Sequence, residues 1–442
     1  MARPSRPASD LTHRRVLSIA LPIVVSNATV PILGLVDTGV VGQLGQAAPI
    51  GAVGIGAMVL TAVYWMFGFL RMATTGLAAQ ALGAGDRAEY AALLVRALLV
   101  AVAGGLALVA FQLPVFGVAF AVAPASAEVE AMARDYMAIR VWSAPAAISV
   151  YGITGWLIAA ERTRAVLALQ VWMNGLNILL DVWFVLGLGF GVEGVAIATA
   201  IAETSGAALG LWFCRDAFRT PGWNDLARIL DRAALARMAA VNRDIFLRSM
   251  LLQAAFVSFL FLGARWGDVT LAANQVLLQF LHVTAYALDG FAFAAEALVG
   301  QALGARQRAA LRRSAILTGV WAVGISVGLA VCFALFGGML IDVMTTAPDV
   351  RAAARAYLGW MVLAPLVGVW SWMLDGVFIG ATRARDMRNM MAVSFLGYVA
   401  AVAVLAPPFG NHGLWAAILV FFALRAATLA LRYPSLEASA SA

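Results

Sequence analysis

The chain has 442 residues, 63% of them hydrophobic and 12% charged, with a formal net charge of +7 and a mean hydropathy of +0.89. Soluble domains run near about 45–50% apolar and about 25% charged, so this composition excludes most soluble enzymes and any disordered or nucleic-acid-binding protein. The pI of about 10.0 has another source: all 30 basic residues are arginine, and they gather between apolar runs.

Apolar segments of about 20 residues or more, enough to cross a bilayer, recur at roughly 14–41, 51–82, 92–114, 132–160, 165–188, 194–215, 240–264, 270–302, 311–336, 353–381, 386–407 and 413–432. The first follows Arg3, Arg6, Arg14 and Arg15 and runs to about Val41. That is too long for the apolar core of a secretory signal, so it reads as a first transmembrane helix. Pro22 and Pro31 predict a bend in it.

Arginine placement sets the orientation. The N-terminal tail and the loops after even-numbered segments hold Arg87, Arg162, Arg164, the arginines from Arg215 to Arg243 and from Arg306 to Arg313, and Arg383, Arg385 and Arg388. The loops after odd-numbered segments hold only Arg134, Arg265, Arg351 and Arg355. Both termini are therefore expected in the cytoplasm. In the longest connection, Pro221, Asn224 and Asp225 look like a helix start, and Leu226, Ile229, Leu230 and Ala233 would line one face of an interfacial amphipathic helix. The expected organisation is a tail over 1–13, an N-lobe of six helices over 14–215, this linker over 216–240, a C-lobe over 241–432 and a tail over 433–442.

The two halves repeat. Gln80-Ala81-Leu82-Gly83-Ala84 returns as Gln301-Ala302-Leu303-Gly304-Ala305, an offset of 221. Ala144-Pro145 returns as Ala364-Pro365, Phe190-Gly191 as Phe409-Gly410, and Arg162-x-Arg164 as Arg383-x-Arg385. Six helices per repeat give both halves the same orientation. Such repeats place a substrate path at or beside their interface, which favours a transporter over a channel or receptor.

Each ionisable residue inside the membrane needs a reason. Asp37 is either a hydrated residue near a helix end or a site that gains and loses a proton. Asn174, Asn177 and Asp181 share one face of segment 5; they are either hydrogen-bonding glue between helices or part of a site, to which Thr199 on segment 6 adds a hydroxyl. Gln275, Gln279, His282, Tyr286, Asp289 and Glu296 form one stripe along segment 8, expected to line a water-accessible cavity. The matching stripe on segment 2 runs through Thr61, Tyr64, Gly68, Arg71 and Thr75. Arg71 is placed to pair with Asp37 or Asp181, and Arg248 and Asp375 would take matching roles in the second half. Glu203 and Arg425 read equally well as structural pairs. His13, His282 and His412 have no zinc spacing, and Cys214 and Cys332 give no disulfide framework or metal spacing. Gly189-x-Gly191-x-x-Gly194 follows a membrane segment, not a strand, so it reads as a tight turn. No Walker motif points to ATP.

Leu35-Val36-Asp37-Thr38-Gly39-Val40-Val41-Gly42, Phe67-Gly68-Phe69-Leu70-Arg71, Thr74-Thr75-Gly76 and Ala79-Gln80-Ala81 resemble the multidrug and toxic compound extrusion (MATE) family, in its DinF-like branch. Leu288-Asp289-Gly290-Phe291, Ala295-Glu296, Val299-Gly300-Gln301 and Met387-Arg388-Asn389-Met390-Met391 fit that branch too. The resemblance covers about 14–432. It implies an all-α fold of twelve transmembrane helices in two six-helix lobes, V-shaped around a central cavity. It also implies a monomer in the bacterial cytoplasmic (inner) membrane and efflux driven by H⁺ or Na⁺ influx, without a cofactor or metal centre. Asp37 matches the carboxylate thought to take the coupling proton; Asn177, Asp181 and Thr199 match the family's polar residues on helices 5 and 6. The sodium-coupled branch uses a glutamate on helix 7, near where Gln253 stands here.

The expected activity is secondary antiport. A charge crossing about 100 mV gains about 2.3 kcal/mol and each pH unit about 1.4 kcal/mol, so one proton would support a ratio of roughly hundreds. Carboxylates beside Tyr64, Trp65 and Tyr286 favour an amphipathic organic cation as the small-molecule substrate, whereas Arg71 and Arg248 could attract anions. A lipid or lipid-precursor flippase, or an organic-acid exporter, of the same superfamily is the alternative. A membrane-embedded transferase would need acidic or histidine clusters in a long loop, which the sequence lacks.

Overall fold

The computed structural model describes residues 11–43, 46–122 and 125–441; the expected tail over 1–13 lies mostly outside them. Those residues form helices and turns with no strand among them, as lipid demands of a chain that must satisfy its own backbone. Ten helices among the described residues are long and apolar enough to span a bilayer. The last of these, Ala384–Ser439, is two helices, because Gly410 adopts φ 57° and ψ −134° after Pro407 and Pro408. Another span is divided at Thr29 into His13–Ala28 and Val30–Gly42. The twelve expected helices are therefore α1 (His13–Ala28 with Val30–Gly42), α2 (Ala47–Gly83), α3 (Arg87–Ala110), α4 (Ala127–Ala159), α5 (Thr163–Gly187), α6 (Gly191–Phe213), α7 (Arg232–Gly263), α8 (Asp268–Gly304), α9 (Arg308–Met344), α10 (Pro348–Gly380), α11 (384–409) and α12 (411–439).

The predicted bend in α1 falls between its prolines. Pro22 lies inside the first half and Pro31 in the first turn of the second, where a missing N–H is tolerated. The dinucleotide-like glycines are the tight turn expected: Gly189 and Gly191 take φ of 72° and 60°, and α6 starts at Gly191.

Packing divides the chain into two compact units. The first holds Val25–Ala78 and Asp86–Ala234; the second holds residues 11–24, Ala79–Gly85 and Leu235–Ala442. The boundary between the units falls within the first half of α1, between Val24 and Val25, and the end of α2 packs with the second unit. The core of the second unit is aromatic, with Phe259, Phe280, Tyr398, Trp415, Phe421 and Phe422 buried.

The repeat extends to backbone geometry at the same offset of 221. In the first unit α4 crosses α2 at Gly155, where a Cβ would overlap the Arg71 carbonyl; in the second α10 crosses α8 at Gly376, where it would meet the Ala292 carbonyl. Left-handed residues end the matching helices: Gly85 and Arg306 after α2 and α8, Glu161 and Thr382 after α4 and α10.

Three elements differ from expectation. The linker is not one amphipathic helix. It forms short turns over Ala217–Arg219 and Pro221–Trp223 and a single helical turn over Leu226–Ile229. Arg96 ends that turn by donating to the Arg228 and Ile229 carbonyls at 2.5 and 3.0 Å, while Asp231 starts α7 by accepting from the Ala234 amide at 2.7 Å. A short helix over Gln112–Val122 follows α3. The expected tail over 433–442 is helical as far as Ser439; Leu436 is buried, and Glu437 pairs with Arg308 at 2.9 Å.

Candidate functional site

The polar face of α5 packs on α1 within the first unit. Asn174 Nδ2 donates to Thr29 Oγ1 at 2.8 Å, and its Oδ1 accepts from Gln170 Nε2 at 3.0 Å. α5 therefore grips α1 where its helix is interrupted. One turn further along, Asn177 Nδ2 donates to Asp181 Oδ2 at 2.6 Å. Asp37 on α1 lies within hydrogen-bonding reach of Asp181. Asn177 and Asp181 are buried and Asp37 half-buried. Among the described residues no donor reaches Oδ1 of either carboxyl. Ionised carboxylates only accept, so a hydrogen bond between these two requires one of them to carry a proton.

Directly after Asp181 the helix widens into a π-turn over Val182–Gly187, a distortion frequent at functional sites. Thr199 lies buried on α6, which packs along α5; its hydroxyl donates to the Val195 carbonyl at 2.9 Å. Of the residues expected to couple a cation, Asp37, Asn177 and Asp181 are brought together, and Thr199 sits on the adjoining helix.

Tyr64 does not line an open cavity. It is 4% exposed, and its hydroxyl donates to the Arg140 carbonyl at 3.3 Å. It belongs to a buried cluster in which Arg140 Nη2 meets Glu203 Oε1 at 2.8 Å and Ser143 Oγ donates to Glu203 Oε2 at 2.5 Å. Arg71 is buried on α2 at the Gly155 crossing. Arg140 was missed by the sequence reading, although it lies within the apolar segment 132–160 that already marked every ionisable residue for explanation. Arg96 was missed similarly; it is 1% exposed and pairs with Glu89 at 2.6 Å.

Removing one partner of a buried ion pair costs about 3–5 kcal/mol, because the other charge stays buried. Glu203→Ala should therefore lower the thermal unfolding midpoint of the purified protein sharply. Glu203→Gln, whose amide oxygen can still accept from Arg140 while its NH2 can donate to Ser143 Oγ, should lower it less; equal losses would show that the charge is not what matters.

In the second unit Asp375 is also enclosed, not cavity-lining. Its Oδ2 accepts from both Arg248 and Arg425, the latter at 2.5 Å, and all three residues are buried. Glu203 and Arg425 are thus both held in buried ion pairs, with Arg140 and Asp375 as their partners. The α8 stripe grades along its length: Gln275, Gln279 and His282 are exposed, Tyr286 and Asp289 half-buried, and Glu296 fully buried.

The MatE family model matches the chain twice, over residues 22–183 and 245–406, once in each repeat. The chain is 42% identical over 421 residues to DNA damage-inducible protein F of Escherichia coli (strain K12), covering 93% of this chain and 90% of that protein. It is 27% identical over 442 residues to the probable multidrug resistance protein NorM of Bradyrhizobium diazoefficiens, covering 94% and 92%. The crystal structure of the Vibrio cholerae MATE transporter VcmN in the bent form shares its fold, with a TM-score of 0.87 over 98% of each chain at 21% identity. Twelve apolar helices, a doubled six-helix repeat matched once per copy, and near full-length similarity to a bacterial relative agree: the chain belongs to the MatE family and is a multi-pass membrane transporter.

Proposed function

We propose that this transporter is a proton-driven antiporter that exports amphipathic organic cations from the cytoplasm, working as a monomer in the bacterial inner membrane with both termini inside. The observation that carries this reading is the facing pair Asp37 and Asp181 in the apolar first unit. A proton arriving from outside completes the bond between the two carboxyls. Its departure leaves two like charges facing each other, which separate. Separation acts on the second half of α1, and α1 residues up to Val24 belong to the other unit, while the Asn174–Thr29 contact sits at the helix break. Proton binding in one unit thereby reaches the other through a helix shared by both. Gln275, Gln279, His282, Tyr286 and Asp289 on α8 supply polar surface, an aromatic ring and a carboxylate suited to an organic cation. With Gln253 in place of a helix-7 carboxylate, proton coupling is favoured over sodium.

The test is uptake of a fluorescent organic cation into everted membrane vesicles under an imposed pH gradient or an imposed sodium gradient. Accumulation driven by an acidic lumen is expected. Accumulation driven by sodium alone would overturn proton coupling. No transport of cations under either gradient, with transport of organic anions or labelled lipids instead, would overturn the substrate class.

A further inference from the structure

The second unit contains a cavity of about 500 Å³ lined by Arg237, Arg243, Asp244, Thr382, Arg385 and Arg388, with Ala240, Val241 and Ala384 as its apolar wall. It lies where α7 and α11 begin, between two of the arginine-rich connections that place this end of the molecule in the cytoplasm. Its volume falls within the range of about 300–1,000 Å³ typical of ligand sites. None of the residues assigned to proton coupling or to the α8 stripe borders it.

The lining is strongly cationic, with four guanidinium groups against one carboxylate. Asp244 is buried and already engaged: its Oδ1 accepts from Arg388 at 2.7 Å and from Arg243 at 3.1 Å. It balances one charge of the Arg243 and Arg388 pair. α11 opens into the same cavity through Ala384 and Arg385. No side chain caps this helix at Arg383, so its first-turn amides add donors and the positive end of the helix dipole. Planar guanidinium forks together with a helix N-terminus are the donor set that phosphate oxygens fit. A basic pocket at the cytoplasmic ends of membrane helices lies at headgroup depth.

We propose that this cavity binds a phosphate anion, and that its occupant is the headgroup of an anionic phospholipid of the inner leaflet. The bound headgroup bridges the starts of α7 and α11 and meets the guanidinium groups that line the cavity.

The test compares the full-length purified protein with Arg237→Gln/Arg385→Gln. Each protein is incubated with phosphatidylglycerol, phosphatidylcholine or inorganic phosphate, and retained lipid is read by native mass spectrometry. The wild type is expected to retain phosphatidylglycerol over phosphatidylcholine. The variant should lose about 25-fold in that retention, roughly fivefold for each arginine near an anionic headgroup. Raised salt should weaken retention, because the pocket is open to solvent. Arg243→Gln, whose guanidinium is largely exposed, gives the same readout if the double variant folds poorly. A phosphatidylglycerol preference unchanged in both variants would overturn the site. Saturable binding of inorganic phosphate with no preference between the two lipids would overturn the lipid occupant.

Discussion

Asp181→Asn is expected to reduce pH-driven accumulation to the level of vesicles lacking the protein, and Asp37→Asn to do the same. The two carboxyls form a hydrogen-bonded unit only when one is protonated, and an asparagine at either position fills the place permanently without a titrating group. Each pH unit is worth about 1.4 kcal/mol per proton, or tenfold in substrate ratio. Under a gradient of about two units, a one-proton antiporter would hold a ratio of roughly 100, which falls to about one when coupling is lost. The sign is fixed by direction: an acidic lumen should raise uptake in the wild type and leave both variants unchanged. Exchange of labelled for unlabelled substrate needs no net proton movement, so it should survive if the variants still bind substrate. If either variant keeps the full pH-driven ratio, the carboxyl pair is structural. Asn174→Ala provides the contrast. It removes the contact to Thr29 but no titrating group, so it should slow transport while leaving the final ratio intact.

Much of this site was legible in the sequence because helices enforce registers. Steps of three and four place Asn174, Asn177 and Asp181 on one face, and an apolar background makes any carboxylate conspicuous. The repeat was legible for a related reason: close helix crossings require glycine, so Gln-Ala-Leu-Gly-Ala recurs where backbones touch. Partners between helices were not legible. Nothing in the sequence joins Asn174 to Thr29, because a threonine at a helix break has no periodic signal. Tyr64 followed the helical pattern of the α2 stripe, yet Arg140 from α4 draws it inward, and that pairing depends on how the helices cross. The linker failed differently. Leu226, Ile229 and Leu230 do fit an amphipathic helix, but Arg96 on α3 takes the carbonyls that a longer helix would have used. A local pattern lost to a buried charge from elsewhere in the chain.

Gly83→Val and Gly304→Val are expected to lower transport by at least about tenfold through the equilibrium between conformations. The two copies of Gln-Ala-Leu-Gly-Ala meet at the ends of α2 and α8, both within the second unit. A Cβ on Gly83 would overlap the Gln301 carbonyl, and a Cβ on Gly304 would overlap the Gln80 carbonyl. Gln80 also anchors the crossing, its amide donating to the Gly380 carbonyl and the Thr382 hydroxyl at 3.0 Å each. Backbone offers no flexible side-chain end to move aside, so the added bulk must part the helix ends, at about 1–3 kcal/mol by the scale of overpacked cores. If transport proceeds by alternating access, this crossing would form in some states and not in others. A penalty confined to the crossed state shifts the populations by roughly 10–100-fold for about 1.4–2.8 kcal/mol. Thiol labelling distinguishes this from simple destabilisation. Ala302 is buried in the motif, so an Ala302→Cys probe, with Cys214 and Cys332 replaced, should label faster with a membrane-permeant thiol reagent when Gly83→Val is present. Gly155→Val and Gly376→Val crowd the α4–α2 and α10–α8 crossings away from this motif, so they should lower the unfolding temperature without changing that labelling rate. If all four variants lose stability alike and labelling is unmoved, the crossing is packing alone and takes no part in the transport cycle.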